Sequence, residues 1–423
     1  MGNLAWVFIG CALIGAGASA VGVFAYLRKQ ALVGDAVAHA ILPGVVLSFM
    51  LGGSKDILVL LPGAVVAGWI GILSIELISK RSKIKPDTAI AIVLTVFFAL
   101  GIVLLTHVQQ VNYGNQSGLQ DFLFGKAAAM LPSDLVVFIV VDVVLLITIW
   151  LMYPYLKLYS FDPDFARSIG VPVKLLQFVL ATLTVLAVAS GIQAVGVVLM
   201  AAMIITPAAA ARFLSSRLSV MIMIAMVIGV GSSLAGAYIS SLNLGMPTGP
   251  WIVIILSLLA VSAFIFAPQK GLLRRYLRRI EHSSKVKTEN LLKVFYSAEE
   301  KSGITAMSLS DILASGRFLS HEIDSMIKRL NRKGLIRQFE NKHSLTESGR
   351  KEASRIVRLH RLWELYLNER MNIAPDHVHH DAEAIEHIIT PELERALLLE
   401  LEYPTVDPHQ SEIPGIKASP NEQ

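Results

Sequence analysis

The stretch that decides the fold is Leu4-Ala5-Trp6-Val7-Phe8-Ile9-Gly10-Cys11-Ala12-Leu13-Ile14-Gly15-Ala16-Gly17-Ala18-Ser19-Ala20-Val21-Gly22-Val23-Phe24-Ala25-Tyr26-Leu27. No charge interrupts it, and Arg28-Lys29 closes it. At ~1.5 Å per helical residue it reaches across the ~30 Å hydrocarbon layer of a bilayer. Met1–Ala20 ends in small residues as an export signal does, yet it lacks a basic leading segment and the apolar run continues past it. It reads as a transmembrane helix. Working outward, further apolar runs lie at 36–52, 57–79, 88–105, 133–153, 174–190, 193–211, 218–241 and 250–267. Several are short or interrupted (Pro43-Gly44, Gly191, Gly196, Pro207), so the expected count is eight to ten spans. Hydrocarbon offers no hydrogen-bond partners, so these runs must be helices in a polytopic bundle. Small residues in Gly15–Ala18 and Ala201–Ala211 allow the helices to approach closely.

The whole chain has 423 residues, a mean hydropathy of +0.60 and 16% charged residues, against roughly 25% in soluble proteins. That excludes a single globular enzyme. Residues 1–267 hold only 13 of the 37 Lys and Arg and 9 of the 32 Asp and Glu, so a water-soluble part must follow the membrane part. The expected boundaries are a membrane domain at 1–268, a basic linker at 269–286, a winged helix-turn-helix at 287–345, a helical metal-binding and dimerisation domain at 346–415 and a tail at 416–423. The lone Cys11 excludes a disulfide framework and a thiolate metal cluster. Basic residues recur in alternate connections: Arg28-Lys29, Lys80-Arg81, Arg212 with Arg217, and Lys270 through Arg279. By the positive-inside rule these connections and the C-terminal part are expected in the cytoplasm.

Ionisable groups within the spans are functional candidates. Asp35 and His39, in Gly34-Asp35-Ala36-Val37-Ala38-His39-Ala40-Ile41-Leu42-Pro43-Gly44, are four apart. On a helix they share one face, about 6 Å apart. A carboxylate and an imidazole make half a site for a borderline divalent cation, and Pro43 can break the helix and free carbonyls beside it. The alternative is an Asp35 N-cap with a satisfied core histidine. Asp142, Glu76 and His107 carry weaker signals.

Gly34–Gly44 resembles the signature of the metal-type ABC-transporter permeases. So do Asp121-Phe-Leu-Phe-Gly125, Asp162-Pro163-Asp164-Phe165-Ala166 with Gly170, Val195–Met200, Pro207–Arg212 and Pro247-Thr-Gly-Pro250. The resemblance covers about residues 1–267. It implies an importer of manganese, iron or zinc, with Asp35 and His39 lining the metal path. An external binding protein would deliver the metal, and a second permease subunit or copy would complete the channel. An acid/His pair found in part of that family is missing from Gly229–Ser241. No GxxxxGK[ST] phosphate loop occurs in the chain, so transport requires a separate ATP-binding cassette subunit. Its expected docking residues are Asp162, Pro163, Ala166, Gly170, Pro207 and Arg212.

From Glu281 the composition becomes that of a soluble domain. Helices are expected at Thr288–Lys301 (Thr288 as N-cap), Ser308–Ala314 (Ser308 and Asp311 at capping-box spacing) and Leu319–Lys333, closed by Gly334. Strands Leu335–Phe339 and His343–Leu345 form a wing around Glu340-Asn341-Lys342. Lys328, Arg329 and Arg332 on the third of these helices are candidate phosphate contacts if DNA is bound, whereas Glu322 and Asp324 oppose it. Contact with protein is the alternative. Thr346 opens a long helix carrying His360 and Glu364 at i,i+4, and His379, Glu383, Glu386 and His387 share one face of a following helix. Two such faces make an oxygen/nitrogen cluster suited to a divalent transition metal.

These residues, with Leu345–Arg350, Arg358–Glu364 and Asp407-Pro-His409, resemble the iron- and manganese-responsive regulators of the DtxR/MntR type over about 287–415. The resemblance implies one metal on His360, Glu364 and His379 and another on Glu383, Glu386 and His387. The carboxylate of Glu383, where iron-type members carry a thiol, favours Mn2+. Family members add ligands from the first helix, where this chain has Asn290 and Lys293. The expected function is thus a divalent-metal ABC permease with a fused metal sensor that regulates transport or transcription. The rival is a metal-dependent DNA-binding regulator, tethered or released by cleavage near 268–287.

Overall fold

A charge-free apolar run satisfies its backbone polar groups only by coiling, and in the computed structural model each run does so. Residues 2–111, 125, 130–242, 246–316, 318–371 and 389–415 are described. The chain divides into two compact units, Met1–Arg275 and Tyr276–Gln423.

Among the described residues the regular elements of the first unit are all helices: α1 (Gly2–Leu27), α2 (Ala31–Gly52), α3 (Ile57–Arg81), α4 (Pro86–Gln110), α5 (Pro132–Leu151), α6 (Tyr153–Phe161), α7 (Pro163–Ser168), α8 (Val173–Val195), α9 (Val197–Leu214), α10 (Leu218–Leu242) and α11 (Thr248–Phe266). Among the described residues eight of these are long and apolar enough to cross a membrane: α1 to α5, α8, α10 and α11. The run expected at 193–211 becomes the shorter α9, parted from α8 by Gly196 at φ +91°. That backbone geometry is one that side-chain-bearing residues rarely adopt.

Within the spans, 78% of the α1 window, 67% of α2 and 61% of α8 are buried, against 22% of α11 and 28% of α4. These three helices form the centre. Outer helices present Trp150, Val227 and Phe266 at two-thirds exposure or more, a surface suited to lipid rather than water. Close approach at the centre depends on small residues, as expected. A Cβ on Gly22 of α1 would collide with the carbonyl of Ile204 on α9. Likewise Gly125, at φ +75°, rests on the Val195 carbonyl at the α8–α9 break.

Two local expectations are corrected here. Helix α2 runs unbroken through Pro43, because packing within the bundle tolerates proline in a span. Proline has no N–H, so the His39 carbonyl still loses its helical partner. And Asp35 is no N-cap: α2 begins at Ala31 after Gln30.

The second unit contains most of α12 (Leu272–Ser302), then β1 (Met307–Ser308), α13 (Leu309–Ala314), α14 (Ser320–Arg332), β2 (Ile336–Phe339), β3 (Lys342–Leu345), α15 (Glu347–Met371) and α16 (Pro391–Glu400). A helix begins at Leu272, not Thr288, and takes in the expected linker. No Gly or Pro interrupts 272–302, and Lys, Arg, Leu and Glu propagate helix well. Thr288 donates to the Ser284 carbonyl instead of capping. The Ser308/Asp311 capping box forms, with Ser308 N 2.8 Å from the Asp311 carboxylate. Gly334 closes α14 at φ +67°, and Thr346 caps α15 by accepting from Gly349 N at 3.0 Å.

The strands pair antiparallel in the order β1-β3-β2, with Gln338 opposite His343. Three helices and a hairpin follow one another in the expected order, and β1 adds a third strand that the spacing did not predict. Its core joins Leu291, Leu292 and Phe295 of α12 to Ile323, Ile327 and Leu330 of α14. On the other side of α15, Leu362 packs with Leu401 and Ile413, and Leu359 with Ile389 and Leu397.

Candidate metal sites in the two units

In the membrane unit, Asp35 and His39 sit side by side on α2, with Oδ1 3.5 Å from Nε2. Their side chains are 35% and 13% exposed. The Phe98 ring on α4 stands nearly perpendicular to the imidazole, with the ring centres 4.8 Å apart. Among the described residues Nδ1 of His39 is buried with no hydrogen-bond partner, a cost that a ligand would remove. The pair thus offers one carboxylate and one imidazole nitrogen from a central helix.

Further ionisable groups lie within the bundle. Asp142 on α5 is 6% exposed and meets α1 where Gly17 leaves room for its carboxylate. Glu76 on α3 and Arg28 share a cavity of about 80 Å3 with Gln30, Gln177 and Thr184. The Arg28 guanidinium lies 4.0 Å from the centre of the Tyr159 ring on α6. Asp35 and His39 do not line this cavity. The sequence concealed it, because Glu76 with Lys80 at i,i+4 (3.5 Å apart) reads as an ordinary surface pair.

The expected docking residues form a compact turn. Asp162 caps α7 by accepting from Phe165 N at 2.9 Å, Pro163 takes the first helical position, Ala166 is fully buried, and Gly170 leaves at φ +85°. Pro207 is buried inside α9, and Arg212 lies in its last turn, half-buried.

In the second unit, His360 and Glu364 are both buried on α15, with Nε2 3.1 Å from Oε1. They line a cavity of about 320 Å3 together with Lys293, Ser297, Arg361, Asp407 and His409. Beside them the Arg361 guanidinium grips Glu300 through Nη1 (3.0 Å) and Nη2 (2.6 Å), approaches Asp407 at 3.6 Å and donates to the Glu412 carbonyl. Burial pulls its pKa down, but the Glu300 hydrogen bond and the carboxylate charges outweigh that and hold it above the ordinary guanidinium value. This clamp was invisible in the sequence, since its members come from three separate segments.

His379, Glu383, Glu386 and His387 lie outside the described residues. Among the described residues no group of three or more His, Cys, Asp or Glu is placed to hold a metal ion. The ammonium of Lys293, in the same cavity as His360 and Glu364, has no lone pair to donate while charged. His360 and Glu364 offer one imidazole and one carboxylate to this cavity, and the other expected ligands lie outside the described residues.

The candidate DNA contacts are partly engaged. Lys328 pairs with Asp324 at 2.8 Å, and Arg329 donates to Ser284. Arg332 is exposed. Glu322 pairs with Lys287, which holds its carboxyl below the usual carboxylate range.

A family model described as the ABC 3 transport family matches residues 1–267. The chain belongs to that family. This ABC 3 permease is 38% identical over 373 residues to a manganese transport system membrane protein of Bacillus subtilis, covering 88% of this chain and 86% of that one. It is 40% identical over 273 residues to a zinc transport system membrane protein of Treponema pallidum, covering 64% of this chain and 92% of the other. Among solved structures it resembles PsaBC of Streptococcus pneumoniae in complex with Fab, with 33% identity and a TM-score of 0.59 over 65% of this chain and 96% of that one. Residues 346–415 match the iron dependent repressor metal binding and dimerisation domain. The permease is therefore a multi-pass membrane protein with a metalloregulator-type domain fused behind its spans, as the motifs in both halves implied.

Proposed function

We propose that the chain is the membrane subunit of an ABC importer for a divalent transition metal, manganese or iron, with zinc as the third option. The observation that carries this reading is the Asp35–His39 pair on a central helix, 3.5 Å apart and with Nδ1 of His39 uncommitted. A carboxylate and an imidazole select a borderline divalent cation over a hard alkali ion. The identity with the manganese and zinc transport relatives supports it. The cargo passes this pair by alternating access, after delivery from an extracytoplasmic metal-binding protein. A separate ATP-binding cassette subunit drives the cycle by docking on the Asp162–Gly170 turn and the Pro207–Arg212 end of α9. A second permease subunit or copy completes the pathway.

The basic connections place Arg28, Lys80, Arg212 and Lys270 at the cytoplasmic face. That orientation makes α9 a crossing too: its 18 residues span ~27 Å at ~1.5 Å each, close to the ~30 Å core. The fused domain is then cytoplasmic, and we read it as a regulator of the permease on the same chain.

The test is uptake of radioactive manganese and iron in cells carrying the chain and its ATPase. Asp35→Ala and His39→Ala each abolish uptake at normal membrane abundance; full uptake by Asp35→Ala would sink the reading. Salt-resistant capture of DNA by the full chain would restore the regulator alternative.

A further inference from the structure

The far part of α12 buries its apolar residues: Leu291, Leu292 and Phe295 join the core of the second unit. The beginning of the same helix does not. Leu272, Leu273, Tyr276, Leu277 and Ile280 are 44 to 64% exposed. At ~100° per residue all five fall on one side of the helix, and Arg274, Arg275, Arg278 and Arg279 fall on the other. The four arginines are exposed, and among the described residues none of them has an ion-pair partner. Tyr276, Arg279 and Ile280 also border an open cavity of about 390 Å3, whose one acid, Glu322, is already held by Lys287. An uncovered apolar face beside four unpaired like charges calls for a partner that is apolar and anionic at once.

The chain supplies the setting. Helix α11, the last span, ends at Phe266, and only residues 267–271 separate it from α12. Five residues extend at most ~18 Å, so the beginning of α12 stays within reach of the lipid headgroups. Tyrosine and arginine are residues suited to that boundary. Arg274 and Arg279 flank the apolar face on its two sides, where long side chains reach phosphate oxygens while the leucines sink below them.

We propose that Leu272–Ile280 is an interfacial anchor that lies on the anionic phospholipid surface beside the last span. Its apolar side chains enter the headgroup boundary, Arg274 and Arg279 pair with lipid phosphates at its edges, and Arg275 and Arg278 add to the attraction. The anionic-lipid content of the membrane then sets how firmly the beginning of α12 is held. The inference requires the spans to lie in a bilayer and is independent of the cargo and of the sidedness.

The test uses the full chain carrying Cys11→Ser, reconstituted into vesicles of phosphatidylcholine alone or of two parts phosphatidylcholine to one part phosphatidylglycerol. A nitroxide is attached through Leu277→Cys or, on the opposite face, His282→Cys. Its access to oxygen and to a water-soluble nickel chelate is read by electron paramagnetic resonance. In the anionic vesicles the Leu277 label is shielded from nickel and open to oxygen, and the His282 label is the reverse. In phosphatidylcholine alone the Leu277 label turns toward water. Arg274→Gln and Arg279→Gln each lower the ratio of shielded to free label in the anionic vesicles by about fivefold, and added salt acts in the same direction. If Cys11→Ser does not fold, the buried Cys11 is left in place and the chain without Leu277→Cys serves as the blank. A Leu277 label open to water in both membranes, or equally shielded in both, would overturn the proposal. So would spin–spin broadening between two copies, or shielding that appears only on adding DNA.

Discussion

The two units solve the problem of internal charge in opposite ways. The membrane unit keeps few charges and brings its backbones together through small residues, so that Gly22 touches the Ile204 carbonyl and Gly17 makes room for Asp142. The second unit buries several charges outright and cancels them in groups. Arg361 holds Glu300 and Asp407, and Arg355 and Arg358 share Glu394. The difference follows from solvent. In lipid there is no hydrophobic drive between helices, so contact distance decides stability; in water a charged side chain enters the interior only with its counter-charge.

If that contrast is right, removing a charge should hurt the second unit most and adding volume should hurt the first. Arg361→Met strands Asp407 and frees Glu300, and should destabilise the second unit by about 3 kcal/mol. Thermal unfolding with a probe in that unit measures it, and a near-neutral result would break the contrast. Gly22→Val forces α1 away from α9 at a backbone contact that cannot yield, and should lower the stability of the detergent-solubilised bundle by about 2 kcal/mol. The same assay shows whether the second unit is untouched. Asp162→Ala removes the α7 cap and should lose about 1 kcal/mol locally, read as faster amide exchange at Phe165; the loss should also weaken ATPase-stimulated transport.

The smallest effect is a pH dependence in the wing. His343 is buried, and desolvation lowers its pKa below the ordinary imidazole value of 6.5. The unfolded chain therefore takes up the proton first as pH falls. Stability of the second unit should be flat above about pH 6.5 and decline below it until the folded pKa is passed. His343→Gln should flatten that part of the profile, and an unchanged profile would remove His343 as its source.

Much of this was legible in the chain. The spans follow from charge-free length, and the capping box at Ser308, the Gly334 stop and the Thr346 cap each formed where the spacing placed them, because such signals act within one turn. The i,i+4 spacing of Asp35 with His39 and of His360 with Glu364 delivered both pairs, since helix geometry alone fixes them. Two signals misled. Thr288 looked like a cap but lies inside a helix that its neighbours were free to extend, and Pro43 looked like a break that the surrounding helices absorb.

The sequence by itself determined which segments live in lipid and which in water, and which residue pairs share a helical face, because both depend on composition and local periodicity. Only the tertiary structure decided that Lys293 shares a cavity with Glu364, that Arg361 reaches Glu300 across 61 positions of sequence, and that Arg28 and Glu76 line one cavity. Those meetings depend on how distant helices pack, and no pattern within a single segment encodes the neighbour it will find.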